Sequence, residues 1–149
     1  MTATPAVPRL RLAGAADLEQ LMAIRADVRE NRLSDPKSIG PANYVKYIER
    51  GHCWACELDA RIAGFAALDV EAASVWALFV VPGAEGRGVG RSLLERLTGE
   101  ARRAGLSHLH LETSAGTRAE RLYRRAGWEM LGCGADGVLR MRLELARPR

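Results

Sequence analysis

Apolar residues recur along this chain with two periods, and the change of period divides it. After a weakly alternating stretch, Val7 to Leu12, that reads as a short strand, residues from about Ala15 to Glu30 set Leu18, Leu21, Met22 and Val28 on one helical face. Asn31 to Gly40, with Ser34-Asp35-Pro36 inside it, reads as a loop. Pro41 suits the first turn of a second helix, on which Tyr44 and Ile48 share a face and which Gly51 stops. From His52 the period becomes that of strands: His52–Leu58, a tight turn at Asp59-Ala60, then Arg61–Val70, a β-hairpin. Ser74 to Val81 is almost continuously apolar, as in a strand buried on both faces.

That strand runs into a glycine-rich stretch, Pro82 to Gly90, and a helix follows from about Gly90 to Arg103 with Leu93, Leu94 and Leu97 inward and Gly105 as its C-cap. Leu106 to Thr113 alternates again, Leu109 and Leu111 on one side and His108, His110 and Glu112 on the other. A helix from Thr117 to Ala126 ends at Gly127, and two closing strands fit Trp128–Cys133 and Val138–Leu145. The predicted order is β-α-α-β-β-β-α-β-α-β-β, an α/β chain with no internal repeat and no linker. At 149 residues, 48% apolar and 27% charged, residues 1–149 are expected to form a single domain.

The longest apolar run, Val75 to Val81, is far short of the roughly 18 residues that cross a bilayer, and no basic-then-apolar signal opens the chain, so a cytoplasmic protein without a membrane partner is expected. Three cysteines, Cys53, Cys56 and Cys133, suit a reducing compartment better than a disulfide framework. Charge is uneven: residues 87–125 carry nine basic and four acidic side chains, and 20 of the 22 basic residues of the chain are arginine, which pairs phosphate oxygens in a fixed fork.

Gly86, Gly88 and Gly90 stand at alternate positions between a buried strand and a helix N-terminus. Glycine lets successive backbone N–H groups turn toward one ligand, and the helix start adds partial positive charge, which suits a diphosphate; Arg87 and Arg91 flank the loop. No lysine follows these glycines, which argues against a Walker loop. The position three after the second glycine is Arg91 or Leu93, so neither register makes a dinucleotide fingerprint.

Glu85-Gly86-Arg87-Gly88-Val89-Gly90 resembles the Gln/Arg-x-x-Gly-x-Gly/Ala signature of the GCN5-related N-acetyltransferases (GNAT), and Ala119 to Trp128 is similar to that family's Ala-x-x-x-Tyr-x-x-x-Gly-Phe block with Trp for Phe. The resemblance implies the GNAT fold, a mixed, mostly antiparallel sheet flanked by helices, and acetyl-CoA as cosubstrate. It implies that the backbone of Leu78, Phe79 and Val80 pairs with the pantetheine arm and that Gly86, Arg87, Gly88, Val89, Gly90 and Arg91 wrap the pyrophosphate, with Ser92 at the helix start. Glu85 stands where the family has Gln or Arg, and Gly116 where many members have an asparagine.

Acetyl transfer needs a neutral amine, a stabilised oxyanion and a proton for the departing thiolate. By the resemblance Tyr123 supplies the proton and the Val80 amide faces the oxyanion. Glu112 is the candidate base, with Glu57, Asp69 and Glu71 as alternatives acting through water. The acceptor, a small-molecule or peptide amine, is expected beside the segment Arg25 to Tyr47, where Arg29, Asn31 and Tyr44 are candidate contacts; acidic groups there would favour a cationic amine, whereas Arg25, Arg29 and Arg32 would hold a carboxylate. Cys53-Trp-Ala-Cys56 has redox spacing but lies in a strand, and His108, His110 and Glu112 share a strand face without implying a metal, so none is expected. A homodimer fits the family. A non-catalytic module binding CoA or RNA through residues 87–125 is the competing reading, but aromatics are only 5%, leaving few platforms for base stacking, so no nucleic-acid partner is expected.

Overall fold

The computed structural model describes residues 7–28 and 40–145. In it the elements follow the expected order: β1 (Arg9–Leu12), a 3-10 turn (Ala15–Asp17), α1 (Leu18–Asp27), α2 (Pro41–Glu49), β2 (Cys53–Leu58), β3 (Arg61–Asp69), β4 (Ser74–Val80), α3 (Val89–Arg103), β5 (His108–Ser114), α4 (Arg118–Arg125), β6 (Glu129–Cys133) and β7 (Val138–Glu144). The strands form one seven-stranded sheet in the order β1-β2-β3-β4-β5-β7-β6, and every neighbouring pair is antiparallel except β4 with β5. Leu58 faces Arg61 across the β2–β3 turn, and its two central residues, Asp59 and Ala60, both take positive φ (52° and 64°), as a two-residue hairpin turn requires.

Helices cover the sheet unequally. On one face α3 and α4 bury Leu78, Leu93, Leu97, Leu109 and Tyr123 with their neighbours. On the other, α1 and α2 bury Leu21, Ile24, Tyr44, Tyr47, Phe65 and Phe79. Strands β2 to β4 are therefore buried on both sides, which is why Ser74 to Val81 shows no polar alternation. Strand β5 is packed on one side only, with Leu109 and Leu111 inward and Glu112 exposed.

The first helix is shorter than its periodicity suggests. Asp17 accepts from the Gly14 N–H at 2.8 Å and from the Arg11 guanidinium at 2.7 and 2.9 Å, which winds the entry into a 3-10 turn. That guanidinium also holds the Asp17 carboxyl below the usual range. Val28 leaves the helix with an extended backbone, and Ile24 joins Leu21 as a fully inward residue while Leu18, Met22 and Val28 pack only in part. On α2 the buried partner of Tyr44 is Tyr47, and Ile48 packs only in part; the Tyr47 hydroxyl donates to Asp69 at 2.9 Å, so the polar end of a buried ring is satisfied. β5 starts two residues later than its alternation because the Leu106 N–H bonds the Ala101 carbonyl (3.0 Å) and Gly105 N–H the Arg102 carbonyl (3.0 Å), closing α3. Among the described residues no helix is long and apolar enough to cross a membrane.

One glycine fixes how closely the layers approach. A Cβ on Gly64 in β3 would lie 2.7 Å from the Phe79 carbonyl oxygen and 2.9 Å from Val89 Cγ1. Gly64→Ala is expected to cost about 1–3 kcal/mol, because backbone on β4 and the first turn of α3 must both shift. Urea unfolding checks it, and an unchanged midpoint would contradict the close approach.

Burial also favours the neutral forms of several acids. It pushes the Cys53 thiol up to about 12 and raises Cys56, Tyr44, Tyr47 and Tyr123, with Asp69 adding to the rise at Tyr47. These folded pKa values lie above the unfolded ones, so their contribution to stability is full below about pH 8.5 and falls as the pH climbs from there toward 12. Urea midpoints measured between about pH 8 and pH 11 should decline steadily. A flat profile would show that the thiol and phenols titrate alike in both states.

Candidate active site

The structure opens at the one parallel pairing. β4 and β5 meet at a single register point, Ser74 opposite His110, where the His110 N–H donates to the Ala73 carbonyl at 2.8 Å. On the β3 side the register slips: Ala67 faces Ala77 and Leu68 faces Val75, so Trp76 is an extra residue with no partner across the ladder. A bulge bends and twists its strand, and beyond this one β4 and β5 share no further ladder pair among the described residues. Leu78 and Phe79 bury their side chains on opposite faces of the sheet, while Val80 packs partly beside Leu78. What this stretch offers the gap is its backbone edge, the arrangement to which an extended ligand adds as a further strand.

The glycine loop follows directly. Gly86 and Gly88 take positive φ (79° and 86°), and a Cβ would meet nothing within 4 Å at Gly86 and only Pro8 Cγ, at 4.0 Å, at Gly88. Glycine is therefore required there for backbone conformation, with the space beside it left open. Gly88 caps α3, and the next N–H groups, at Val89, Gly90 and Arg91, occupy the first-turn positions that lack partners within a helix. Ser92 differs, because its N–H already bonds the Gly88 carbonyl at 2.9 Å and only its hydroxyl is uncommitted to the helix. The Val89 side chain is 1% exposed and anchors the turn. Gly90 is a packing position, where a Cβ would lie 3.1 Å from Leu122 Cδ2 and 3.4 Å from Val80 Cγ2.

Both departures from the family pattern have structural roles. The Glu85 carboxylate accepts the Gly83 N–H at 2.7 Å and lies 3.9 Å from Arg118, tying the loop to α4. Gly116 sits at φ +77°, and its N–H donates to Glu120 Oε1 at 2.8 Å while the Glu120 N–H donates to Thr117 Oγ1 at 3.2 Å. The Thr117-x-x-Glu120 spacing carried this cap signal in the sequence. The Gly116 N–H, then Arg124, lowers the Glu120 carboxyl.

Tyr123 is held by the end of its helix. Gly127, at φ +93°, donates to the Arg124 carbonyl (3.1 Å) and Trp128 to the Tyr123 carbonyl (3.0 Å), a glycine-capped C-terminus whose outer residue folds back onto the helix. The two rings meet edge to face at 5.4 Å. The Tyr-x-x-x-Gly-Trp pattern is thus a capping motif that also orients the tyrosine. Tyr123 is buried, and burial raises its phenol well above the usual value.

Glu112 lies on the other face of β5, exposed, opposite Arg140 in register and two residues past the Ser74/His110 contact. Tyr123, in the core beneath α3 and α4, and Glu112, exposed on β5, therefore lie on opposite faces of the sheet. The alternative bases are engaged elsewhere: Glu57 pairs with Arg11 (3.5 Å), Glu71 with Arg50 (3.1 Å), and Asp69 accepts from Tyr47 and from the Ala72 N–H (3.0 Å). Tyr44, placed among the acceptor contacts, is 2% exposed and packs on Phe65 and Trp76; it belongs to the core wall of that region. Arg29 and Asn31 lie outside the described residues. His108 and His110 meet edge to face at 4.6 Å, but among the described residues no group of three ligands assembles for a metal. Cys53 and Cys56 belong to cores on opposite faces of the sheet.

Several arginines of the 87–125 segment lie beside carboxylates: Arg103 by Glu100 (3.9 Å), Arg118 by Glu85, Arg124 by Glu120, and Arg91 in an exposed pair with Glu95 (3.5 Å) that leaves it open to solvent. Arg87 is exposed on the loop. The Trp76 bulge is the feature that sequence reasoning missed, since an extra apolar residue inside an apolar run leaves no mark on the pattern.

The family model for the acetyltransferase (GNAT) family matches residues 18–128. The streptothricin acetyltransferase of Streptomyces lavendulae is 37% identical over 86 residues, 54% of this chain and 44% of that protein; the chain spans less than half the length of the curated relatives it matches. Among solved structures, the Salmonella typhimurium protein yncA with its cofactor acetyl-CoA superposes with a TM-score of 0.77 at 22% identity, over 95% of this chain and 96% of that one. The ribosomal-protein-alanine N-acetyltransferase of Brucella melitensis does so with a TM-score of 0.73 at 27% identity, over 92% and 99%. A buried strand that leaves its neighbour beside a glycine-capped helix start, and a family match across three quarters of the length, lead to one conclusion: the chain belongs to the acetyltransferase (GNAT) family.

Proposed function

We propose that this chain is an acetyl-CoA-dependent N-acetyltransferase that acetylates a primary amine, in a reducing compartment that suits its three free thiols. The observation that carries this reading is the open backbone edge of β4, which ends at the exposed glycine loop. Acetyl-CoA supplies the activated acetyl thioester. The backbone of Leu78, Phe79 and Val80 pairs with its pantetheine arm. Gly86 to Arg91 hold the pyrophosphate through first-turn N–H groups, with Arg87 and Arg91 adding charge and Ser92 its hydroxyl. Relatives range from the streptothricin enzyme to the ribosomal-protein-alanine enzymes, so both a small-molecule amine and a protein N-terminus fit as acceptor.

Glu112, on the exposed face, takes the amine's proton directly or through water. The Val80 N–H faces the developing oxyanion, and Tyr123 donates to the departing sulfur from the opposite face. The buried phenol stays protonated throughout the neutral range, the state that an acid requires.

Acetyl-CoA is expected to bind and raise the melting temperature by mass action, with NADH and ATP doing much less. Gly88→Val should abolish this binding, because a β-branched residue does not hold φ +86° and the loop N–H groups turn out of register. Calorimetric titration of the folded variant checks it, and wild-type affinity would remove the loop from the cofactor site.

Tyr123→Phe keeps the ring against Trp128 and deletes the hydroxyl alone. Turnover should fall by roughly 10²–10⁴ with acetyl-CoA affinity little changed. Wild-type turnover, followed by release of free CoA thiol, would reject the acid role.

A further inference from the structure

On α1, the guanidinium carbon of Arg25 lies over two rings of β4, 4.8 Å from the Trp76 centroid and 5.0 Å from that of Phe79. Tyr44 packs edge to face on the same Trp76 at 5.1 Å, and both the charge of Arg25 and its side-chain hydrogen bond to the Tyr44 hydroxyl work against the rise that burial imposes on that phenol. The Arg25 Nε and Nη1 atoms are buried without a hydrogen-bond partner among the described residues. No carboxylate among those residues pairs with Arg25. Asp69, which contacts Tyr47 behind Trp76, is already committed to the Tyr47 hydroxyl and the Ala72 N–H.

The Tyr44 hydroxyl meets part of this half-buried guanidinium, and the buried Nε and Nη1 donors that remain unmet are costly, because each keeps its desolvation penalty. Aromatic faces offset part of that cost, but they engage the face of the guanidinium and leave its in-plane N–H donors open. A planar oxyanion satisfies such a fork, and a singly charged carboxylate matches the single buried cation. Position adds to the chemistry. Trp76 is the bulge residue, Phe79 belongs to the strand given to the pantetheine arm, and Glu112 projects from the same face of the sheet.

We propose that Arg25 is the carboxylate-binding residue of the acceptor site, so that the acceptor is a small amine bearing a carboxylate, of the amino-acid class, rather than a protein N-terminus. This rests on the acetyltransferase reading and narrows it. The amine lies toward Glu112 and the β4–β5 gap, and the carboxylate toward Arg25. Acetylation transfers the acetyl group from sulfur to nitrogen; the amine's proton leaves to Glu112, the thiolate takes one from Tyr123, and the carboxylate is unchanged.

The test compares the standard L-amino acids with their α-carboxamides, following CoA thiol release, for the wild type, Arg25→Gln and Arg25→Lys. The wild type is expected to prefer acids over the matching amides by on the order of 10²-fold or more in kcat/KM, because a site built around a polar partner discriminates strongly against its loss. Arg25→Gln should erase that preference chiefly through KM for the acids, and Arg25→Lys should restore part of it. Acetyl-CoA affinity by calorimetry should be alike in all three, which also shows that the variants are folded. Equal use of acids and amides by the wild type, no turnover of any acid, or a preference that survives Arg25→Gln would overturn the assignment. If the wild type does not bind acetyl-CoA, the acetyltransferase reading itself fails; binding and amide turnover without a preference for acids removes Arg25 alone.

Discussion

Everything at this site depends on β4 parting from β5. A strand in the middle of a sheet normally spends both edges on neighbours, since unpaired backbone groups away from water are expensive. Here β3 holds one edge of β4 along its length, and β5 holds the other only at Ser74. The extra residue at Trp76 supplies the mechanical cause, because two residues of β4 span the length of one on β3 and the strand must bend. α3 packs over one side of β4 and α1 over the other, so both faces of the strand are held while that edge stays open. The gap is thus a built feature of a rigid core.

Rigidity on both banks comes from backbone contacts as much as from apolar packing. At the start of α3, Val89 fits against Gly64 with no room for a Cβ, and Gly90 packs closely, though less tightly, on the Leu122 side chain. The glycine loop therefore hangs between β4 and a helix that cannot slide. Across the gap, α4 is capped at its start by Thr117 and Glu120 and at its end by Gly127, which fixes the depth and tilt of Tyr123. Glu85 and Arg118 link the two banks directly. An exposed pair of this kind contributes little to stability, but it couples the position of the loop to the start of the helix that carries the tyrosine.

Much of this was legible in the sequence, for reasons that differ by element. Period and punctuation gave every strand and helix, because Gly51, Gly105 and Gly127 stop helices and Asp59-Ala60 closes a hairpin of matched strands. Glycine spacing marked the loop because the positive φ at Gly86 and Gly88 excludes most other residues. Apolar identity alone failed to say which helix residues face inward: Ile24 and Tyr47 bury more than Met22 and Ile48, and Tyr47 does so only because Asp69, distant in sequence, accepts its hydroxyl. Nor does local pattern show that Glu85 folds back on Gly83 or that Gly64 marks a close approach. Those are facts about pairs of residues, and a single sequence displays only one member at a time.

The opposite environments of Tyr123 and Glu112 suit the two proton movements that the proposed acetyl transfer requires. A phenol in water has a pKa near 10 and a thiol near 8.5, so protonating a thiolate from a tyrosine is uphill by about 2 kcal/mol. Burial raises the phenol, yet the same dry surroundings penalise a thiolate formed beside it, and both groups are singly charged anions when deprotonated. The gap between them therefore stays close to its value in water, whereas a bare thiolate in that place would carry the larger cost of an unpaired buried charge. Burial of Tyr123 therefore leaves the cost of donation close to its value in water, although it makes the phenol a weaker acid in isolation. Glu112 lies in the opposite surroundings, exposed to water on the other face of β5, where a base as proposed above would have solvent at hand.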